Sequence, residues 1–311
     1  MDTLYIGGGT PTFLNPADWE SLIEILENGL SFSRGVEVSV EANPDSLNAD
    51  HMRLWRSWRV NRVSLGIQSF STEILRWLGR PHDEKQAAEA LNRCAENGFA
   101  SSGDLIFGIP GQDLRLWHND LRILSGYVNH LSIYQLTAEP GTPLAGERVA
   151  SQSEAYPLYR FAQWYLGSRG FLQYEVASFA RNESWCRHNL SYWKQGNVLG
   201  LGPSAWGYLD GLRYRNVAPL MRYLRREGLP WEWTESLLQE DRAREAAILA
   251  LRTRWGIRWK TFRRRFGEDI SRELGKALSE LPPDLFVKRN GRISLSGKGF
   301  RLGNSIWERL V

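Results

Sequence analysis

The feature that most constrains the fold is the alternation of short apolar runs with helical patterns over the first 140 residues. The apolar runs are Leu4–Ile6, Val36–Val40, Val63–Ile67, Leu105–Phe107 and Leu131–Leu136. The helical patterns are Pro16–Gly29, Ala49–Trp58, Ser71–Leu78, Glu84–Asn97 and Leu114–Leu124. Short strands that alternate with helices predict an α/β fold, whose parallel sheet is built from right-handed βαβ units.

The pattern changes after residue 140. A further helix is predicted at Gln152–Ser168, whereas Phe171–Tyr208 is rich in Gly, Asn and aromatic residues and shows little helical periodicity. Near the C-terminus the predicted elements are helices at Glu240–Trp255, Lys260–Phe266 and Ile270–Ser279 and strands at Phe286–Lys288 and Arg292–Leu295. Asn290-Gly291 between these strands is a strong hairpin signal, so this region is predicted to be winged-helix-like. We predict domain boundaries that give residues 1–170, 171–238 and 239–311.

Composition narrows the class of protein. No run of about 18 apolar residues is present, so the sequence predicts no transmembrane helix. Cys94 and Cys186 are the only cysteines, too few for a disulfide framework, and a reducing, cytoplasmic setting is therefore expected. The net charge of +4 permits an anionic ligand without requiring one.

Polar or glycine-rich segments follow the predicted strands, and the carboxyl ends of parallel strands are where such folds place their sites. The first run ends in Gly7-Gly8-Gly9-Thr10-Pro11, the second in Glu41, the third in Gln68, and Asp104 opens the fourth. Each feature has an ordinary structural reading, as a tight turn, a solvated side chain or a cap. Together they predict a shared mouth that binds a ligand.

These residue types suit a zwitterion attached to a nucleoside. Glycines let a ligand approach backbone N–H groups closely. Glu41, Gln68 and Asp104 can bind ammonium groups or ribose hydroxyls, and Arg80 can pair with a carboxylate through its planar guanidinium.

Several segments, in this order, resemble one family. They are IGGGTPT from Ile6, EANPDSL from Glu41, NRVSLGIQSF from Asn61, LGRPH from Leu78, DLIFGIPGQ from Asp104 and LTAEPGTPL from Leu136. The chain is similar to the radical S-adenosylmethionine (SAM) family of oxygen-independent coproporphyrinogen III oxidases and the related HemW-type haem chaperones. This resemblance implies an incomplete parallel (β/α) barrel and SAM contacts from Gly8, Gly9, Thr10, Glu41, Gln68, Arg80 and Asp104.

The second half resembles the chaperone branch, on YEVASFAR from Tyr174, RHNLSYW from Arg187 and LGLGPSAWG from Leu199. The resemblance links the His-Asn-x-x-Tyr-Trp pattern to haem. On chemistry alone, His188 can ligate iron, Tyr192 and Trp193 offer aromatic faces, and Arg187 can pair with a propionate. The alternative is a histidine that only stabilises its loop through hydrogen bonds.

The sequence departs from the family at the iron–sulfur cluster. Family members carry Cys-x-x-x-Cys-x-x-Cys after a strand that precedes the glycine motif, and three thiolates hold three irons of a [4Fe-4S] cluster. No such motif is present here. We expect that a preceding segment is missing, the alternative being a degenerate relative, and we assign no metal ligands or catalytic residues.

The favoured hypothesis is a haem-binding and haem-transfer protein on a radical SAM scaffold, with haem-accepting proteins as partners. The first alternative is a radical SAM enzyme of porphyrin biosynthesis that acts on coproporphyrinogen III. The second is a winged-helix protein that binds nucleic acid through Arg263-Arg264-Arg265, although we expect those arginines to form a solvated helix face.

Overall fold

The predicted alternation of strands and helices is present in the computed structural model, which describes residues 1–310. Residue contacts divide the chain into an N-terminal unit, residues 1–188, and a C-terminal unit, residues 189–311. The three regions proposed from the sequence, 1–170, 171–238 and 239–311, stay a prediction about domain organisation.

The N-terminal unit contains one seven-stranded sheet in the order β1-β2-β3-β4-β5-β7-β6. Its strands are β1 (Thr3–Ile6), β2 (Glu37–Ala42), β3 (Arg62–Gln68), β4 (Ala100–Phe107), β5 (His130–Gln135), β6 (Leu172–Gln173) and β7 (Ser178–Ala180). Strands β1 to β5 are parallel, which confirms the predicted incomplete parallel barrel, whereas β7 is antiparallel to both β5 and β6. The two short antiparallel strands were not predicted because two or three residues show no usable periodicity.

Six helices of this unit connect or follow the parallel strands. They are α1 (Pro16–Gly29), α2 (Ala49–Ser57), α3 (Thr72–Trp77), α4 (Glu84–Glu96), α5 (Leu114–Tyr127) and α6 (Gln152–Ser168). Asn15 caps α1 by accepting from the backbone N–H of Asp18, and Pro16 occupies the first turn. Helix α4 ends at Glu96 and is followed by Asn97 and Gly98. The φ of Gly98, +75°, lies in the left-handed region that commonly follows a helix end.

The core of the unit lies between the sheet and these helices. Trp19 of α1, Trp55 of α2 and Trp117 of α5 are fully buried and pack with the apolar residues of β2 to β5. The parallel register then fixes the position of the polar strand ends. Glu41 of β2 lies beside Ser64 of β3, and Asp104 of β4 lies in register with Ser132 of β5.

Helix α7 (Arg187–Trp193) begins in the N-terminal unit, inside a segment for which no helix was predicted. That expectation was wrong because the first backbone N–H groups of this helix are satisfied from a distant strand. The Glu37 carboxylate accepts from the N–H of Arg187 at 3.1 Å and of His188 at 2.8 Å. A cap that comes from a residue about 150 positions earlier leaves no local sequence signal.

The C-terminal unit contains two three-stranded antiparallel sheets. Its strands are β8 (Trp206–Leu209), β9 (Leu212–Asn216), β10 (Trp231–Ser236), β11 (Ile257–Arg258), β12 (Phe286–Arg289) and β13 (Arg292–Leu295). Its further helices are α8 (Leu220–Leu224), α9 (Gln239–Leu251), α10 (Trp259–Phe266), α11 (Glu268–Ser279), α12 (Gly297–Arg301) and α13 (Gly303–Trp307). Helices α9, α10 and α11, followed by the β12–β13 hairpin, confirm the predicted winged-helix-like arrangement.

Two details of this unit test the sequence signals. Asn290 and Gly291 have φ values of +50° and +71°, as expected for the tight turn between β12 and β13. Helix α9 ends at Leu251 rather than at the predicted Trp255, because the carbonyl of Ala250 accepts from the backbone N–H and the hydroxyl of Thr253 in a tighter turn. Among residues 1–310, no helix is long and apolar enough to cross a membrane.

Candidate functional site

A polar cavity of about 270 Å³ lies at the carboxyl ends of β1 to β4. We call it the strand-end cavity; its lining residues are Gly9, Thr10, Pro11, Glu41, Ala42, Asn43, Ser64, Gly66, Gln68, Arg80 and Asp104. Six of the seven residues expected to contact SAM line this cavity. The seventh, Gly8, donates its backbone N–H to Glu41 Oε2 at 3.1 Å.

The glycine loop after β1 brings the backbone close to Glu41. Gly8 and Gly9 have φ values of +81° and +57°, a region in which residues with a Cβ are strained. Gly7 is required for space instead, because a Cβ at this position would lie 2.7 Å from the Glu41 carboxyl carbon. The loop therefore holds the carboxylate in one place.

Glu41 is fixed by a donor on each carboxylate oxygen. The Tyr5 hydroxyl donates to Oε1 at 3.0 Å, and the Gly8 N–H donates to Oε2 at 3.1 Å. Burial raises the pKa of the Tyr5 phenol above its usual range, and the charge of Glu41 adds to this effect. Tyr5 therefore remains a proton donor, and Glu41 presents an oriented acceptor to the cavity.

Gln68 has an unusual backbone conformation. Its φ of +64° lies in the left-handed region, and the pairing of β3 with β4 shifts between Leu65 and Gln68. Strained conformations of this kind persist where surrounding structure enforces them, and they concentrate at functional sites. The bulge places Gln68 in the lining of the cavity.

Asp104 is the most perturbed acid of the site. Burial raises the pKa of its carboxyl to about 7, and the charge of Glu41 adds to this, while hydrogen bonds from Ser64 and Ser132 oppose it. Ser64 Oγ donates to Asp104 Oδ2 at 3.3 Å. Near neutral pH the group can therefore either donate or accept a hydrogen bond.

The sequence interpretation missed five lining residues: Pro11, Ala42, Asn43, Ser64 and Gly66. A signal was available for two of them. Ser64 and Gly66 are two positions apart in β3, so they lie on the same face of the strand, next to the irregular segment that ends at Gln68. Asn43 follows Glu41 by two positions, and its amide donates to Thr10 Oγ1 at 3.3 Å.

His188 lies outside the strand-end cavity, on the first turn of α7. Its Nδ1 is 3.0 Å from Thr3 Oγ1, and its ring stacks on Tyr5, with centroids 5.1 Å apart and an interplanar angle of 27°. Burial lowers the pKa of the half-buried imidazole, against the opposing charge of Glu37, so the ring is neutral at neutral pH. A neutral imidazole is the form that ligates iron.

The other residues of the Arg187–Trp193 segment differ in exposure. Arg187 is exposed, and its guanidinium donates to the carbonyl of Gly35 at 2.8 Å and to that of Asp2 at 3.4 Å. Tyr192 is 43% exposed. The Trp193 ring instead lies 4.8 Å from the guanidinium of Arg252.

Comparisons with known proteins identify the family. The Radical SAM superfamily matches residues 1–123, and the HemN C-terminal domain matches residues 237–303. The haem chaperone HemW of Lactococcus lactis is 30% identical, over 100% of this chain and 85% of its own length. HemW of Bacillus subtilis is 32% identical, over 99% of this chain and 84% of its own length.

The chain belongs to the HemW family. The fold of this chain is also similar to a solved structure, that of coproporphyrinogen III oxidase (HemN) from Escherichia coli, described as a radical SAM enzyme. It superposes with a TM-score of 0.86 at 22% identity, covering 99% of this chain and 77% of the oxidase. This likeness supports the radical SAM scaffold on which the strand-end cavity lies.

The residues of this chain do not fit the cluster that a radical SAM scaffold implies. Cys94 is buried in α4, and burial raises the pKa of its thiol to about 12, which disfavours the ligating thiolate. Cys186 is buried near Glu37. Neither cysteine lines the strand-end cavity, and residues 1–310 contain no group of three metal-binding side chains.

We therefore expect the 311-residue chain, reconstituted anaerobically with iron and sulfide, to bind far less than a full cluster. Iron and sulfide analysis after gel filtration is the measurement, and the double variant Cys94→Ser/Cys186→Ser is the control. The residual iron should be the same in both proteins. About four iron and four sulfide ions per chain, lost in the double variant, would contradict the expectation.

Replacement of Gly7 with Ala should weaken nucleoside binding in the strand-end cavity. The added Cβ displaces the Glu41 carboxylate, so we expect the affinity for S-adenosylhomocysteine to fall about tenfold, or about 1.4 kcal/mol. Isothermal titration calorimetry measures the change. Gly29→Ala is the control, because a Cβ there meets nothing within 4 Å. Equal affinities of Gly7→Ala and the parent would show that Glu41 is not part of the binding site.

Proposed function

We propose that this chain binds and transfers haem on a radical SAM scaffold, as a haem chaperone. The observation that carries the proposal is the structured Arg187–Trp193 helix in a chain that is similar over its full length to proteins named haem chaperones. Within this helix the His188 imidazole is neutral and contacts Thr3 and Tyr5, and the exposed ring of Tyr192 follows four positions later.

In this proposal the His188 imidazole is an axial ligand of haem iron. In the tautomer that carries its proton on Nδ1, the imidazole can donate to Thr3 Oγ1, 3.0 Å away, and Nε2 then has the lone pair for a metal bond. The proposed propionate partner, Arg187, already donates to two backbone carbonyls, so a propionate would have to share its guanidinium with them. We place the motif in the connecting region 171–238, between the partial barrel and the winged-helix-like domain.

We further propose that the strand-end cavity binds SAM through Gly8, Gly9, Thr10, Glu41, Gln68, Arg80 and Asp104. The chemistry of the donor set supports this assignment. Glu41 offers an oriented carboxylate to an ammonium group, Gly8 and Gly9 expose backbone to the ligand, and Arg80 can pair with a carboxylate. Without cluster ligands in this chain, SAM is expected to bind more weakly than it would next to an iron that chelates it.

The two alternatives receive less support. For porphyrinogen oxidation, the support is a likeness in fold to an oxidase at 22% identity, whereas the relatives that are 30% and 32% identical over this chain are named haem chaperones. For nucleic-acid binding, Arg263 of α10 contacts Glu268 at 3.7 Å and Arg265 donates to Gln195 at 2.9 Å. Two of the three arginines thus contact residues of their own unit, as a solvated helix face would.

We also propose haem-accepting proteins as partners and a reducing, cytoplasmic location.

The proposal is tested by haem titration and release. Difference absorbance should saturate at one haem per chain, and excess apomyoglobin, a general haem acceptor, should then remove the haem. Absence of a saturable spectral change would refute the chaperone function. Conversion of coproporphyrinogen III by the purified chain would favour the enzyme alternative instead.

A further inference from the structure

One side chain, Tyr5 of β1, contacts both proposed sites. Its hydroxyl donates to Glu41 Oε1 at 3.0 Å in the lining of the strand-end cavity. The face of its ring stacks on the His188 imidazole, with centroids 5.1 Å apart. Thr3, two positions earlier and therefore on the same face of β1, contacts His188 Nδ1 at 3.0 Å.

We infer that Tyr5 couples ligand binding in the strand-end cavity to the position of the His188 imidazole. The inference rests on the proposed function, because it joins the proposed nucleoside and haem sites. It adds a positioning residue that neither the glycine motif nor the haem motif contains.

Glu41 is the residue of the strand-end cavity that a ligand would contact first in this coupling. Both of its carboxylate oxygens already accept hydrogen bonds, from Tyr5 and from the backbone of Gly8. A ligand ammonium or ribose hydroxyl that binds Glu41 must share or displace these donors. A ligand that displaces the donor from Glu41 Oε1 moves the Tyr5 hydroxyl. A ligand that displaces the donor from Glu41 Oε2 moves the backbone of Gly8 and thus the glycine loop.

The Tyr5 ring connects its hydroxyl to the His188 imidazole. The ring is rigid, so a displacement of its hydroxyl rotates or tilts the face that packs on His188. The His188 imidazole also contacts Thr3 Oγ1, and the backbone N–H of His188 donates to the Glu37 carboxylate. A change in the stacking face therefore alters the orientation of the ring rather than releasing it. By linkage, haem at His188 must change nucleoside affinity by the same factor.

The first test compares haem affinity with and without saturating S-adenosylhomocysteine, in the parent, Tyr5→Phe and Tyr127→Phe. Phenylalanine keeps the stacked ring and removes only the hydrogen bond to Glu41. Tyr127, an exposed residue at the end of α5, is the matched control. In the parent and in Tyr127→Phe, the nucleoside should change the haem Kd about fivefold or more. In Tyr5→Phe the change should be below about twofold.

The coupling is refuted if both ligands bind the parent but the haem Kd does not respond, or if Tyr5→Phe responds as the parent does. If haem or the nucleoside does not bind the parent at all, the proposed function itself fails. A second measurement separates these outcomes because it uses neither ligand.

That measurement is NMR of the imidazole carbon–proton signals in protein labelled at histidine, of which the chain has five. Glu41→Gln should shift the His188 signal when Tyr5 is present. In the Tyr5→Phe background, the same substitution should leave that signal unchanged. Equal shifts in both backgrounds would overturn the role of Tyr5, whatever the haem titrations show.

Discussion

Replacement of Glu37 with Gln should lower the free energy of unfolding of the N-terminal unit by about 3 kcal/mol. Glu37 and Arg62 are 7% and 6% exposed, and Arg62 Nε lies 3.4 Å from Glu37 Oε2. Arg62 Nε and Nη1 have no hydrogen-bond partner among the described residues, so the charge of Glu37 is their main compensation. Glutamine keeps the shape of the side chain and removes that charge.

The same substitution should weaken haem binding. The Glu37 carboxylate accepts from the first two backbone N–H groups of α7, which carries His188. A glutamine amide has only one acceptor oxygen, so one of these N–H groups loses its partner. Chemical denaturation and haem titration measure the two effects. Glu27→Gln, which disrupts an exposed pair with Arg59, is the control and should change neither. A stability loss no larger than that of the control would contradict the account.

Replacement of Asp104 with Asn should stabilise the folded chain at pH 8 and weaken ligand binding in the strand-end cavity. Burial raises the pKa of the carboxyl from 3.8 to about 7, so the folded state favours the protonated form. Its ionisation therefore costs stability as the pH rises from about 4 to about 7. Asparagine does not ionise and avoids that cost.

The size of this gain is limited by water at the cavity. The Asp104 side chain is half-buried and borders the strand-end cavity, so solvent offsets part of the burial cost. We expect a gain of about 2 kcal/mol at pH 8 and almost none at pH 4. Denaturant unfolding at both values, with exposed Asp2→Asn as the control, measures it. Equal stability of Asp104→Asn and the parent at pH 8 would mean that the carboxyl ionises without cost.

The sequence predicted the parallel part of the fold because the signals there are local. Strands β1 to β5 follow from apolar runs, α1 from the Asn15-Pro16 cap, and the β12–β13 hairpin from Asn290-Gly291. The approach of Gly8, Glu41 and Gln68 also follows from sequence, because carboxyl ends of parallel strands share one edge of the sheet. Asp104 was expected to open its strand, but it lies within β4 because that strand begins at Ala100.

The parts that were missed depend on contacts between distant residues. Helix α7 is seven residues long, and its N-terminal backbone is capped by Glu37 of β2. The stacking of Tyr5 on His188 joins positions that are 183 residues apart, and nothing near either residue indicates it. Ser64 and Gly66 could have been predicted from the alternation along β3, whereas the left-handed conformation of Gln68 could not.

The central claim is that His188 ligates haem, and haem titration of the parent, His188→Ala and His118→Ala tests it most directly. His118 of α5 packs against the Tyr165 ring and serves as a matched control within the same unit. We predict that His188→Ala loses the haem difference spectrum, while its melting temperature falls only modestly through the loss of the Thr3 contact. His118→Ala should bind haem like the parent. Unchanged haem affinity and spectrum in His188→Ala, with a lowered melting temperature, would show that the histidine only stabilises the start of α7 and would contradict the claim.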